Sequence, residues 1–150
     1  MSSVLIVTMA MLLFMALLVA VIIYTARRRE RIQKESLMDE FRRAADMKQL
    51  AIGRTEVFRN RALGMTEDGK ALVYVRYING GFSPSYAYLE YCSNFRVKQQ
   101  DNEVVMTFDM KNYATMSLLF YSEVEDGIGQ YLVNKGKADQ WLTILKGQSN

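Results

Sequence analysis

Glu123, Glu125 and Asp126 are the densest grouping of carboxylates in the chain. Paired carboxylates can divide acid and base roles or hold a cation. Here they stand beside Gly127 between two strand-like runs, and that placement predicts an exposed acidic turn. Histidine is absent from all 150 residues. Its absence removes Ser-His-Asp and Cys-His catalysis, histidine-ligated zinc or haem, and the usual near-neutral proton shuttle. The single cysteine, Cys92, allows no intrachain disulfide and no cysteine cluster for zinc or iron–sulfur. It follows the aromatic run Tyr86-Ala87-Tyr88-Leu89-Glu90-Tyr91 and reads as a small buried hydrophobe. No Gly-x-x-x-x-Gly-Lys-Ser/Thr loop and no Gly-x-Gly-x-x-Gly turn occurs, and Gly127-Ile128-Gly129 is only a turn. A membrane-bound Ser-Lys hydrolase is compatible with composition but has no local motif. The residue types therefore predict a non-enzymatic protein with no catalytic, cofactor-binding or metal-binding residue.

The elements that organise these residues begin with an apolar run from Val4 to Tyr24, closed by Arg27-Arg28-Arg29-Glu30-Arg31. At 1.5 Å per residue such a run gives roughly 31 Å of helix, the thickness of a bilayer's hydrocarbon core. A cleaved signal peptide wants a charged leader and a small-x-small cleavage site. Met1-Ser2-Ser3 carries no charged side chain, and Tyr24-Thr25-Ala26 leads straight into arginines, so the run reads as an uncleaved anchor. The expected organisation is a transmembrane anchor over 1–26, a basic juxtamembrane and amphipathic helix over 27–53, and a β-rich domain over 54–150. Arg27, Arg28, Arg29, Arg31 and Lys34 are the membrane-surface residues. Under the positive-inside rule they keep the domain cytoplasmic, at the inner face of the plasma membrane, with the amino terminus outside. A lone free thiol suits that reducing compartment.

The net charge of +3 has the same origin. Residues 27–35 hold five basic and two acidic groups, which is the whole excess, and they leave 36–150 neutral. The high isoelectric point thus reflects topology and attraction to anionic headgroups. Nucleic-acid binding is not expected.

From Arg27 to about Ile52 the pattern is helical, with Leu37, Met38, Phe41, Ala44 and Ala45 forming one apolar stripe. Ser36-Leu37-Met38-Asp39 could cap a new helix, or one helix could continue from the membrane to about residue 51. The stripe holds barely one heptad. It can pack on the chain's own domain or on a partner, or serve self-association, which Ala16-x-x-x-Ala20 also permits inside the membrane.

Residues 55–134 read as about seven strands: Ala62–Met65, Ala71–Ile78, Tyr86–Tyr91, Phe95–Gln100, Val104–Met110, Ser117–Ser122 and a short Gln130–Val133. Glu67-Asp68-Gly69-Lys70 is a hairpin signal. In Phe95–Gln100 the alternation turns Phe95 and Val97 inward and Arg96 and Lys98 outward. The stretch Asn79-Gly80-Gly81-Phe82-Ser83-Pro84-Ser85 reads as a loop. Phe82 there either folds back on the sheet or protrudes into a partner. Ala138, Trp141, Leu142 and Leu145 then mark an amphipathic helix, with Trp141 its largest buried group. The fold class is α+β: anchor helix, juxtamembrane helix, and a small antiparallel sandwich or barrel closed by a carboxy-terminal helix.

Seven short strands closed by a tryptophan-bearing helix resemble the pleckstrin-homology-like fold, in the form of a bacterial-type membrane-anchored domain. The resemblance rests on Ala71–Ile78, Tyr86–Tyr91, Phe95–Gln100, Val104–Met110, Ser117–Ser122 and Lys137-Ala138-Asp139-Gln140-Trp141-Leu142. It implies binding of lipid headgroups, peptides or proteins, and rarely catalysis. The expected function is a protein-interaction or scaffold module, with Phe82, Leu37 and Phe41 as partner-binding residues. The alternative is an inner-leaflet module that meets anionic lipid through Arg76, Arg96 and Lys98.

Overall fold

The computed structural model describes residues 2–112 and 114–148. The chain divides into two units, one ending at Glu35 and the other beginning at Ser36. Helix α1 (Ser2–Met47) supplies the whole of the first and opens the second. Among the described residues it is the one helix long and apolar enough to cross a membrane, and its apolar window is entirely unburied within the protein. Thr8 returns its hydroxyl to the Leu5 carbonyl at 2.9 Å, so the apolar run keeps that polar group satisfied within the helix. Arg31 pairs with Glu35 at 3.0 Å one turn on.

The helix does not restart at Ser36, and it stops before Gly53. Gln49 adopts φ 54, and the Leu50 amide donates to the Ala45 carbonyl at 3.0 Å. This reversal uses the end carbonyls of α1 and delivers Leu50 onto the apolar cluster that the helix covers.

In the second unit, β1 (Ile52–Val57), β2 (Arg61–Thr66), β3 (Ala71–Ile78) and β4 (Gly81–Tyr88) form an antiparallel meander in sequence order. A second meander contains β5 (Cys92–Gln100), β6 (Glu103–Met110) and β7 (Thr115–Ser122). A four-residue helix α2 (Glu123–Asp126) and a 3₁₀ turn lead into α3 (Tyr131–Gln148). The first sheet is covered on both faces. Leu37, Phe41 and Ala44 of α1 pack with Ala62, Val73 and Val75 on one side. Leu63, Leu72, Tyr74 and Ala87 on the other side join the second sheet and α3. Burial on two faces explains why Ala71-Leu72-Val73-Tyr74-Val75 is continuously apolar instead of alternating. The Tyr86 hydroxyl donates to the Ala44 carbonyl at 3.0 Å, a further tie between helix and sheet.

Four sequence expectations change. Strand β1 was not anticipated, because Gly53 and three polar residues interrupt its pattern; the register shifts at Gly53. The expected loop 79–85 is a two-residue turn at Asn79-Gly80, both at positive φ, followed directly by β4. Tyr86–Tyr91 ends as a 3₁₀ turn, so Ala87 and Leu89 are buried while Tyr91 is exposed. Gln130–Val133 is not a strand. Gln130 closes the 3₁₀ turn and Tyr131 begins α3, whose buried stripe is Asn134, Ala138, Trp141 and Leu145.

Trp141 is fully buried, with the Arg54 guanidinium 5.3 Å from its ring. Trp141→Ala is expected to destabilise the protein by about 3–5 kcal/mol, measured by chemical unfolding of the full chain in detergent micelles. Gly64 faces Phe41 so closely that a Cβ there would lie 2.4 Å from Phe41 Cζ. Gly64→Ala is expected to lower stability by about 1–3 kcal/mol through displacement of that ring. In the same assay a Gly64→Ala/Phe41→Leu double variant should recover part of the loss.

Candidate functional site

Arg61 opens β2 and is completely buried. An arginine survives such burial only when its five N–H groups find acceptors. Here each does. Nε donates to the Leu119 carbonyl at 2.8 Å, and Nη2 to the Phe120 carbonyl at 2.8 Å and to Asp126. Nη1 donates to Asn60 Oδ1 at 2.6 Å and Glu125 Oε2 at 3.2 Å. The guanidinium also lies 5.1 Å from the Phe58 ring. The carbonyls it takes belong to β7, where the ladder to β6 passes from Tyr121 to Leu119 and skips Phe120. A side chain of the first sheet thus bonds the free edge of the second.

Arg76 sits directly opposite Arg61 in the β2–β3 register. Like charges there repel unless neutralised. Glu125 bridges them, its Oε1 accepting from Arg76 Nη2 at 2.6 Å. Burial pushes the Glu125 carboxyl up, but hydrogen bonds from Asn60 and Arg76 and the charges of both arginines bring it net below its ordinary value. Asp126 also accepts from the Ser122 amide at 2.9 Å, and Arg59 reaches the Glu125 carbonyl at 3.0 Å. The acidic turn expected to be exposed is therefore turned inward: the Asp126 side chain is 2% exposed. These carboxylates hold structure, each matched by a guanidinium.

Beside this network a cleft of about 430 Å³ opens between the two sheets. Tyr74, Arg76, Ile78, Ser83 and Ser85 line it from β3 and β4, and Glu103, Val105, Thr115, Met116, Ser117 and Leu119 from β6 and β7. Strands β4 and β7 are each paired on one side only. The Arg76 Nε–H is buried and has no hydrogen-bond partner among the described residues. Glu103, half-buried, has no ion-pair partner among them. A larger recess of about 530 Å³ surrounds Thr66–Lys70, where the Thr66 and Asp68 side chains bond each other and the Lys70 amide. There Thr66 donates to Asp68 at 2.6 Å and holds that carboxyl below its ordinary value. The cleft at Arg76 holds a buried donor with no hydrogen-bond partner among the described residues.

The residues singled out in the sequence scatter. Leu37 and Phe41 are 0% and 2% exposed in the α1–sheet cluster and are not available to a partner. Phe82 does not protrude from a loop; it lies in β4, half-buried, its ring 5.1 Å from Tyr77. Arg76 lines the cleft, but Arg96 and Lys98 sit on β5 outside it, and Arg96 pairs with Asp109 at 3.4 Å. Arg27, Arg28, Arg29, Arg31 and Lys34 are exposed on α1 in the first unit. Cys92 is buried, which pushes its thiol up and away from reactivity. The cleft serines have no lysine among their lining neighbours. Among the described residues no three His, Cys, Asp or Glu side chains form a metal-holding group. Sequence reasoning missed Arg61 and Glu103. An arginine directly before the apolar Ala62-Leu63 was the available signal for the first, and nothing local marked the second. Comparison with protein families, curated proteins and solved structures gives no match to this chain.

Arg61→Met strands Asp126 and two carbonyls and leaves Glu125 to Arg76 alone, so a loss of about 3–5 kcal/mol is expected by chemical unfolding. Arg61→Lys, with three donors for five acceptors, should not restore it. A carboxyl lowered in the folded state contributes stability above its unfolded pKa and loses it as pH falls through the folded value. Stability should therefore fall below about pH 4.5, the ordinary value for Glu125. Glu125→Gln should flatten that acid limb relative to the unsubstituted protein.

Proposed function

We propose that the protein is a single-pass, membrane-anchored protein-interaction module, with its amino terminus outside and its β-rich unit cytoplasmic at the inner face of the plasma membrane. The orientation rests on the five basic residues of 27–35. Two meanders of four and three strands followed by α3 support the pleckstrin-homology-like reading, whose members bind ligands more than they catalyse.

The observation that carries the proposal is the cleft between the open edges of β4 and β7. It offers a buried N–H on Arg76, a Glu103 carboxylate with no ion pair among the described residues, and five hydroxyl side chains. An extended partner segment answers all of these at once. Its backbone adds to a strand edge, a carbonyl takes the Arg76 N–H, and a Lys or Arg side chain meets Glu103. A phosphate or other anion is a poorer fit. Arg61 and Arg76 are already neutralised by Glu125 and Asp126, and Glu103 leaves the cleft net negative.

A photocrosslinker at Ser83 or Ser117 of the full chain in native membranes tests this. The expected result is one dominant protein adduct, reduced at least about tenfold by Glu103→Lys, the loss of one desolvated ion pair. Glu103→Lys should leave unfolding within about 0.5 kcal/mol, since nothing in the fold depends on it. Adducts to lipid alone would favour the anionic-lipid reading through Arg76, Arg96 and Lys98.

A further inference from the structure

The segment joining β7 to α3 is built inside out. Glu125 and Asp126 point into the protein against Arg61 and Arg76. Val124, Ile128, Leu132 and Val133 point into solvent, 95%, 76%, 78% and 53% exposed. Four large aliphatic side chains within ten residues form the densest exposed apolar group of the second unit among the described residues. Isolated surface aliphatics need no explanation, but a cluster on a rigid support does. The support here is rigid because three arginines grip α2: Arg59 at the Glu125 carbonyl, Arg61 at both carboxylates, and Arg76 at Glu125.

We infer that this tip is a second membrane contact, which dips its aliphatic side chains into the bilayer that α1 spans. Reach supports the assignment. Twelve residues, 25–36, separate the apolar run from Leu37, the first buried residue of the second unit, at most about 43 Å even if fully extended. The second unit is thus tethered within that length of any membrane the apolar run spans, so that even weak apolar burial becomes an intramolecular event. Charge supports it as well. The guanidiniums cancel two of the three carboxylates, and only Glu123 lacks a basic partner among the described residues. Lys135 and Lys137, the nearest cations on α3, are paired with Asp139 and Glu56 at 3.1 and 2.7 Å. The tip presents apolar surface on a nearly neutral base, which suits the hydrocarbon boundary better than a charged protein surface. The contact is one of depth and apolar area, distinct from headgroup recognition by basic side chains.

Site-specific fluorescence tests it in the full chain, reconstituted at one copy per nanodisc. A polarity-sensitive dye is placed at Leu132→Cys and, separately, at Val124→Cys. Lys98→Cys serves as an exposed reference, and Cys92, being buried, remains unlabelled. Expected are a blue-shifted emission at both tip positions and quenching by spin-labelled lipid several-fold stronger than at position 98. Water-like emission at both tip positions would overturn the inference. So would a blue shift that spin-labelled lipid does not quench, since the cover is then protein. Equal quenching at position 98 would also overturn it, because the tip is then not the contact.

Discussion

One buried guanidinium decides how the two sheets of the second unit meet. A sheet edge exposes a row of unpaired carbonyls and amides, and a sandwich of two meanders has four such edges. At the β7 edge the bulge at Phe120 disturbs the ladder just where Arg61 supplies its donors. Arg61 thereby acts as a short surrogate strand carried by the opposite sheet, and Tyr74 adds a longer contact to the same Leu119 carbonyl at 3.4 Å. Hydrophobic packing alone would let the sheets slide, since Leu63, Leu72, Met106 and Leu118 make undirected contacts. Two directed hydrogen bonds to β7 carbonyls, with those to Glu125 and Asp126, remove that freedom.

The same network sets what lies beside it. By drawing Glu125 and Asp126 inward it neutralises itself, fixes α2, and leaves Arg76 with one donor unspent at the mouth of the cleft. Cleft and aliphatic tip are thus two sides of one arrangement: the polar face of the β7–α2 junction turned in, the apolar face turned out. Glu125 and Asp126 are committed to arginines, and the Cys92 thiol is buried.

Much of the architecture was legible because periodicity reports burial. Phe95/Val97 against Arg96/Lys98, and the run Val104, Met106, Phe108, each mark a face, and Trp141 with its neighbours marks a helix. The failures have physical causes. Gln130–Val133 looks β-forming, yet Tyr131 docks edge-to-face on Tyr121 from the start of α3, and tertiary contacts of this kind override local β preference. The glycines of 79–81 were read as a long loop, but two residues at positive φ suffice for a hairpin, and Pro84 is tolerated because β4 is an edge. The site was less legible than the fold. Arg61 meets its carboxylate partners across more than sixty residues of sequence, and no local spacing encodes such a pairing.

The last three turns of α1 have a consequence for synthesis. Leu37, Phe41 and Ala44 leave the ribosome directly behind the apolar run, but the residues that bury them, Val73, Val75 and Tyr86, follow some thirty to fifty positions later. At about 5–20 residues per second, that stripe stays bare for several seconds. The nascent chain therefore carries a second apolar helix face close behind the membrane-length apolar run, and only the first sheet, once complete, draws it into the folded unit.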